Sequence, residues 1–290
     1  MTTEDNKKEA GDDVCASCGI AECDDINLKK CTACKLVRYC SVKCQKVHRP
    51  KHKRACKKRA AELRDELLFK QPESSHLGDC PICMIPLPLD SDYSTMMTCC
   101  TKIVCDGCSV ATMMSESCRK SVPTQEEIRE NVMKRIEAND PVALRQEGSK
   151  TFANEDYSSA FEYFTKAAKL GDVEAHYQLG IMYYDGKGVA MNGNKDVYHF
   201  EEAAIGGHPI ARYNLGVIEA RRFRRSERAR KHYLIAASLG HDGSVKTLME
   251  NHKRGFVKKE DLEAALRAHQ AAVSATKSPQ REAAKAYHRN

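Results

Sequence analysis

Tryptophan is absent from this 290-residue chain, and no cysteine follows Cys118, the last of 15. The cysteine-rich part and the cysteine-free part must therefore be stabilised by different means. No stretch approaches the ~18 apolar residues needed to cross a bilayer. The opening segment MTTEDNKKEAGDD lacks the basic and apolar regions of a secretory signal, so it reads as a disordered N-terminus over 1–14. The expectation is an intracellular chain, cytoplasmic or nuclear, with no membrane. Thiols stay reduced there, and clustered cysteines read as metal ligands before they read as disulfides. Also missing are a glycine-rich phosphate loop, a hydrolase elbow and a spaced acid pair. No catalytic residue is assigned, and the reading leans away from an enzyme.

Four pairs are present between Cys15 and Cys56: Cys15 with Cys18, Cys31 with Cys34, Cys40 with Cys44, and His52 with Cys56. A C-x2-C hairpin aims two thiolates at one ion. Residues four apart share a helix face, which suits the other two pairs. Two pairs make one closed tetrahedral zinc site, with no position left for a catalytic water. Cys23 falls outside the eight and reads as a spare loop thiol. From Lys29 to Arg59 there are 13 Lys or Arg and no Asp or Glu. That excess outweighs the negative charge of the thiolate–zinc centres. A solvated face, phosphate contact and a nuclear-localisation patch are the alternatives for it.

The stretch YCSVKCQKVHRPKHKRAC resembles the MYND zinc finger. The resemblance implies a cross-braced fold over 15–56. Cys15, Cys18, Cys40 and Cys44 would hold one zinc; Cys31, Cys34, His52 and Cys56 would hold a second. It also implies a peptide-binding groove that includes Gln45. Arg49 stands where that family often has tryptophan, which shifts the expected ligand toward acidic partners.

KKRAAELRDELLFK reads as a connecting helix to about Lys70, followed by a linker to residue 79. A second cluster then runs Cys80-x2-Cys83, Cys99-Cys100, Cys105-x2-Cys108 and Cys118. With Pro81 and Ile82 between the first two, it resembles an all-cysteine RING finger over 80–124. The family's pattern implies one zinc on Cys80, Cys83, Cys105 and Cys108. A second would use Cys99, Cys100 and Cys118, with Ser115 at the position of the remaining ligand. For that second site the alternatives are a weak zinc, no zinc, or completion by water or another side chain. Ile82 and Arg119 occupy positions that contact the ubiquitin-conjugating enzyme and ubiquitin in that family, while Ser115 and Ser117 depart from it.

A helix is expected over Gln125–Asp140, with Ile128, Val132 and Ile136 on one face. Self-similarity follows. Ala167-Ala168 with Gly171 recurs at Ala203-Ala204 with Gly207, and again at Ala236-Ala237 with Gly240. Tyr177, Leu179 and Gly180 recur at Tyr213, Leu215 and Gly216. Shifts of 36 and 33 residues mark a helical solenoid. HYQLGIMYYDGKGV resembles Sel-one-like repeats, relatives of the tetratricopeptide repeat. Three repeats and a cap ending in KEDLEAALRAHQAA fill 125–270, and 271–290 reads as a tail. Tyr177 and Tyr213 read as core. His176, His199, His208 and His232 carry no assigned chemistry. The basic loop ARRFRRSERAR reads as a solvated turn or a seat for an acidic partner.

The fold class expected is thus multidomain: two small zinc-stabilised, cross-braced fingers and an all-α solenoid. The function expected is a zinc-binding interaction scaffold with protein partners. A RING-type ubiquitin ligase and a nuclear regulator using the basic face are the alternatives.

Overall fold

A computed structural model describes residues 14–90, 94–96, 102–114 and 124–289. Two compact units divide the chain, residues 1–70 and 71–290.

From residue 14 to Tyr39 the first unit is mostly loop. Strands β1 (Lys29–Lys30) and β2 (Arg38–Tyr39) pair antiparallel. They lead into one long helix, α1 (Val42–Leu68). Ser41 caps it, its hydroxyl accepting the Cys44 N–H at 3.2 Å. A connecting helix was expected to start after Cys56, but α1 runs unbroken through that point and carries Cys44, His52 and Cys56. Helix formers and the ion pairs of Arg59 with Glu62 (3.3 Å) and Glu66 (2.8 Å) extend it toward Leu68. The unit's core consists of Cys15, Leu28, Cys31, Cys34 and Tyr39. So little apolar bulk cannot hold a fold without cross-links.

In the second unit, β3 (Ser94–Met96) pairs antiparallel with β4 (Ile103–Cys105), and α2 (Asp106–Met114) follows directly. Cys80, Leu87, Val104, Cys105 and Cys108 form a small core beside these strands. Helix α3 (Gln125–Glu137) opens with a capping box between Thr124 and Glu127. It stops short of the expected Asp140, because Asp140 caps the next helix and Pro141 takes that helix's first position.

The rest is a succession of helical hairpins in which each helix packs on its sequence neighbours: α4 (Pro141–Ala153) with α5 (Tyr157–Lys169), α6 (Val173–Asp185) with α7 (Lys195–Ile205), and α8 (Pro209–Arg221) with α9 (Ser226–Ser238). Helices α10 (Asp242–Lys253) and α11 (Lys259–Ala275) close the array. Close approach within each hairpin depends on missing side chains. A Cβ on Gly148 would lie 2.8 Å from the Phe164 ring, on Gly180 2.6 Å from Phe200, and on Gly216 2.5 Å from Tyr233. The expected all-α solenoid is observed, including its small-residue spacing.

The segment read as a tail contains the end of α11 and a further helix, α12 (Pro279–Arg289), which packs on α2. Tyr177 and Tyr213 are only half-buried: Tyr177 stacks on His208 (centroids 4.3 Å) and Tyr213 lies against His241 (4.9 Å). Most of the basic loop is neutralised within the chain. Arg222 pairs with Asp196 at 2.9 Å, Arg228 with Glu219 at 2.7 Å and Arg230 with Glu227 at 2.8 Å. Among the described residues, no helix is long and apolar enough to cross a membrane.

Candidate metal centres

Three four-donor clusters emerge from these elements. The donor atoms of Cys15, Cys18, Cys40 and Cys44 lie within 4.8 Å of one another. So do those of Cys31, Cys34, His52 and Cys56, and those of Cys80, Cys83, Cys105 and Cys108. In the first unit the pairs alternate along the chain, so each cluster joins a loop pair to a pair that starts at or lies in α1.

The spacing tests whether zinc fits. Four sulfurs about 2.3 Å from a central ion at tetrahedral angles stand about 3.8 Å apart. Cys18 and Cys40 are 3.6 Å apart, Cys40 and Cys44 3.6 Å, Cys31 and Cys56 3.8 Å, and Cys83 and Cys105 3.7 Å. The described cysteines are free thiols, and these separations are far beyond a disulfide's ~2 Å. Cys34 Sγ and His52 Nε2 are 3.1 Å apart, a mixed sulfur–nitrogen set that zinc also accepts. The residues present fit the ion.

Electrostatics prepare at least one thiolate in each cluster. Burial opposes the Cys15 charge, but the N–H groups of Cys40, Cys18 and Ser17 bring its pKa down to about 6. Cys31 falls to about 6 against the same burial cost, through Cys34, Ala33 and His52. Cys80 falls to about 6 through the N–H groups of Cys105, Cys83 and Ile82. Other members go the opposite way: hydrogen bonds with Cys44 and Cys18 push Cys40 up to about 12, and burial beside Cys31 pushes Cys56 up to about 11. A divalent cation relieves that repulsion, because it favours every thiolate at once.

Several supporting residues were not legible in the sequence. His48 stacks on His52 with ring centroids 5.6 Å apart, and its Nδ1 meets the Tyr39 hydroxyl at 3.0 Å. This fixes the plane of the His52 ring. The four-residue spacing of His48 and His52 was the available signal. Gln45 is half-buried and Arg49 exposed, both on α1, while Ile82 stands exposed beside the Cys80–Cys83 knuckle. Cys23 is exposed and belongs to none of the clusters. Cys99, Cys100, Ser115, Ser117, Cys118 and Arg119 lie outside the described residues.

The sequence profile of the MYND finger matches residues 15–56. That of the Sel1 repeat matches 144–172, 173–208 and 209–241, one helical hairpin each. The chain carries a MYND finger and three Sel1 repeats. A putative beta-lactamase, HcpC, of Helicobacter pylori is 38% identical over 56 residues, covering 19% of each protein. The chain thus spans about a fifth of that relative's length. A Sel1 repeat protein of Oxalobacter formigenes is similar at 28% identity with a TM-score of 0.46, over 57% of this chain and 70% of that one. A protective antigen of uropathogenic Escherichia coli with an SLR fold matches at 25% identity and a TM-score of 0.43, over 51% and 33%.

A fourth donor group joins the Sel1 repeats to the segment before Cys80: His76, Glu174 and His208 also converge within 4.8 Å. His208 Nδ1 accepts the Ala211 N–H at 3.1 Å, capping α8. Its proton therefore sits on Nε2, which donates to Glu174 Oε2 at 3.0 Å. A metal on Nε2 would displace that proton to Nδ1 and break the cap. The arrangement suits a hydrogen-bonded cluster. Burial opposes the Glu174 charge, yet His208 and His76 hold its pKa well below the usual carboxylate range. His208, to which the sequence reading gave no chemistry, is thus a cap and a link between successive repeats.

Proposed function

We propose that this chain is a zinc-dependent protein–protein scaffold in which the ions are structural. One zinc sits on Cys15, Cys18, Cys40 and Cys44, and one on Cys31, Cys34, His52 and Cys56. A third sits on Cys80, Cys83, Cys105 and Cys108. Cys99, Cys100 and Cys118 are the candidates for a fourth, partial site. The observation that carries this reading is that each described cluster supplies four protein donors, a closed set. Such an ion cross-links loops that have little core of their own. The chain's residues do the recognition: Gln45 and Arg49 on α1, and the solenoid's helices, for protein segments in an intracellular, cytoplasmic or nuclear setting.

A second reading has one specific observation in its favour. Ile82 and Met84 are 58% and 71% exposed at the tip of the second finger's knuckle. An apolar tip beside a zinc knuckle is what a RING-type ubiquitin ligase offers a conjugating enzyme, with Arg119 steadying ubiquitin.

Native mass spectrometry of zinc per chain, run beside an autoubiquitination assay, separates the two. Three zincs with no ubiquitin transfer is the expected result. Four zincs with ubiquitin chains that vanish in Ile82→Ala would overturn the scaffold in favour of the ligase.

A further inference from the structure

The geometry points to Arg281 as a positioning residue of the second finger's metal centre, so that zinc retention by Cys80, Cys83, Cys105 and Cys108 depends on the C-terminal helix α12. This rests on the ligand set proposed above. Arg281 is 5% exposed and lies almost 200 residues beyond the knuckle it touches. One guanidinium nitrogen donates to Pro86 O at 2.7 Å and Thr276 O at 2.6 Å. The other donates to Ile85 O at 3.0 Å and to Cys83 Sγ at 3.7 Å. Ile85 O is also the acceptor for the Cys80 N–H, at 2.9 Å. The guanidinium therefore grips the backbone loop that shapes the knuckle and one of its sulfurs together.

The chain is built to deliver it. Gly107, on α2 between Cys105 and Cys108, leaves room for α12: a Cβ there would lie 2.9 Å from Arg281 N. Ser278 Oγ accepts the Arg281 N–H at 3.2 Å, and Pro279 begins the helix, a start that fixes where residue 281 falls. Charge gives the contact its purpose. Four thiolates around Zn²⁺ carry a net −2, and a buried cation donating to a thiolate offsets it. A planar fork reaches three carbonyls and a sulfur at once; a lysine ammonium is a single point charge.

The test uses the full chain. Zinc transfer to a chromogenic chelator is followed for wild type, Arg281→Ala and Arg281→Lys, with Cys80→Ser marking which zinc belongs to the second finger. Losing such an outer partner costs roughly 10–100-fold in metal affinity. The Cys80-dependent zinc should therefore leave at least about 10-fold faster in Arg281→Ala, with the first finger's two zincs unchanged. Arg281→Lys, which keeps the charge and the stem, should fall between the two, and it reads the same quantity if Arg281→Ala loses its helical circular dichroism. With cobalt in place of zinc, removing the N–H···S bond should move the thiolate-to-metal charge-transfer band to lower energy. A merely structural role would leave that band in place. Unchanged release in both variants, or an unmoved band with faster release, overturns the proposal. A zinc count that Cys80→Ser does not reduce overturns the ligand set itself.

Discussion

His208 Nε2, at the start of α8, donates to Glu174 Oε2, in the first turn of α6, at 3.0 Å. One side chain thereby caps its own helix and ties two successive repeats together. His76, from the segment that leads into the second finger, reaches the same carboxylate at 3.4 Å and stacks on His208 with centroids 4.2 Å apart.

The repeats should lose stability on mild acidification. Burial lowers the pKa of His208, takes His199 to about 4 and takes His232 to about 3. The folded state holds these imidazoles neutral, whereas the unfolded chain protonates them near pH 6.5. Their contribution is complete above that pH and falls as the pH drops toward the folded values. For the fully buried His232 the slope approaches about 1.4 kcal/mol per pH unit. Glu174, held low, adds a loss of the same sign below about pH 4.5. Thermal melts between pH 8 and pH 5 should show Tm falling. In His208→Asn the asparagine keeps a cap but cannot titrate, so its melts should fall less steeply. Equal slopes would mean His208 does not titrate on unfolding.

Gly180→Ala should destabilise the repeats by about 1–3 kcal/mol, since its methyl would enter the Phe200 ring at 2.6 Å. Denaturant unfolding of the variant, paired with Gly180→Ala/Phe200→Leu, checks the cause. Part of the loss should return when the ring is removed.

The Arg222–Asp196 pair predicts an asymmetry. Asp196 is 1% exposed and receives both guanidinium nitrogens, at 3.2 and 2.9 Å. Arg222→Ala leaves a buried carboxylate without its cation and should cost about 3 kcal/mol. Asp196→Asn removes that charge and should cost less, because Arg222 can turn to water. Urea midpoints for the two variants decide it.

In the first finger, Cys56→Ser should lose one zinc while Cys15, Cys18, Cys40 and Cys44 keep theirs. Cys23→Ser should change neither the zinc count nor the melting curve. A zinc lost from Cys23→Ser would put that thiol among the ligands.

Regular spacing was what could be read along the chain: the cysteine pairs, the Ala-Ala and Gly positions that recur every 33 or 36 residues, and the Gly180 and Gly216 that pack under aromatic rings. Gly148 escaped because its repeat departs at the neighbouring positions, although it meets Phe164 in the same way. The continuity of α1 through Cys56 was missed because metal-ligand pairs read as separate turns. What held it together was a cap at Ser41 at one end and arginine–glutamate pairs at the other.

The sequence by itself determined the modules, because metal ligation and helix packing both need particular residue types at fixed spacings. Tertiary structure alone decided which distant residues serve them. Nothing near Arg281 in sequence marks it as a neighbour of Cys83, and nothing near His76 marks it as a partner of Glu174. These contacts join segments separated by about a hundred or more residues, and such proximity arises only when the helices have packed.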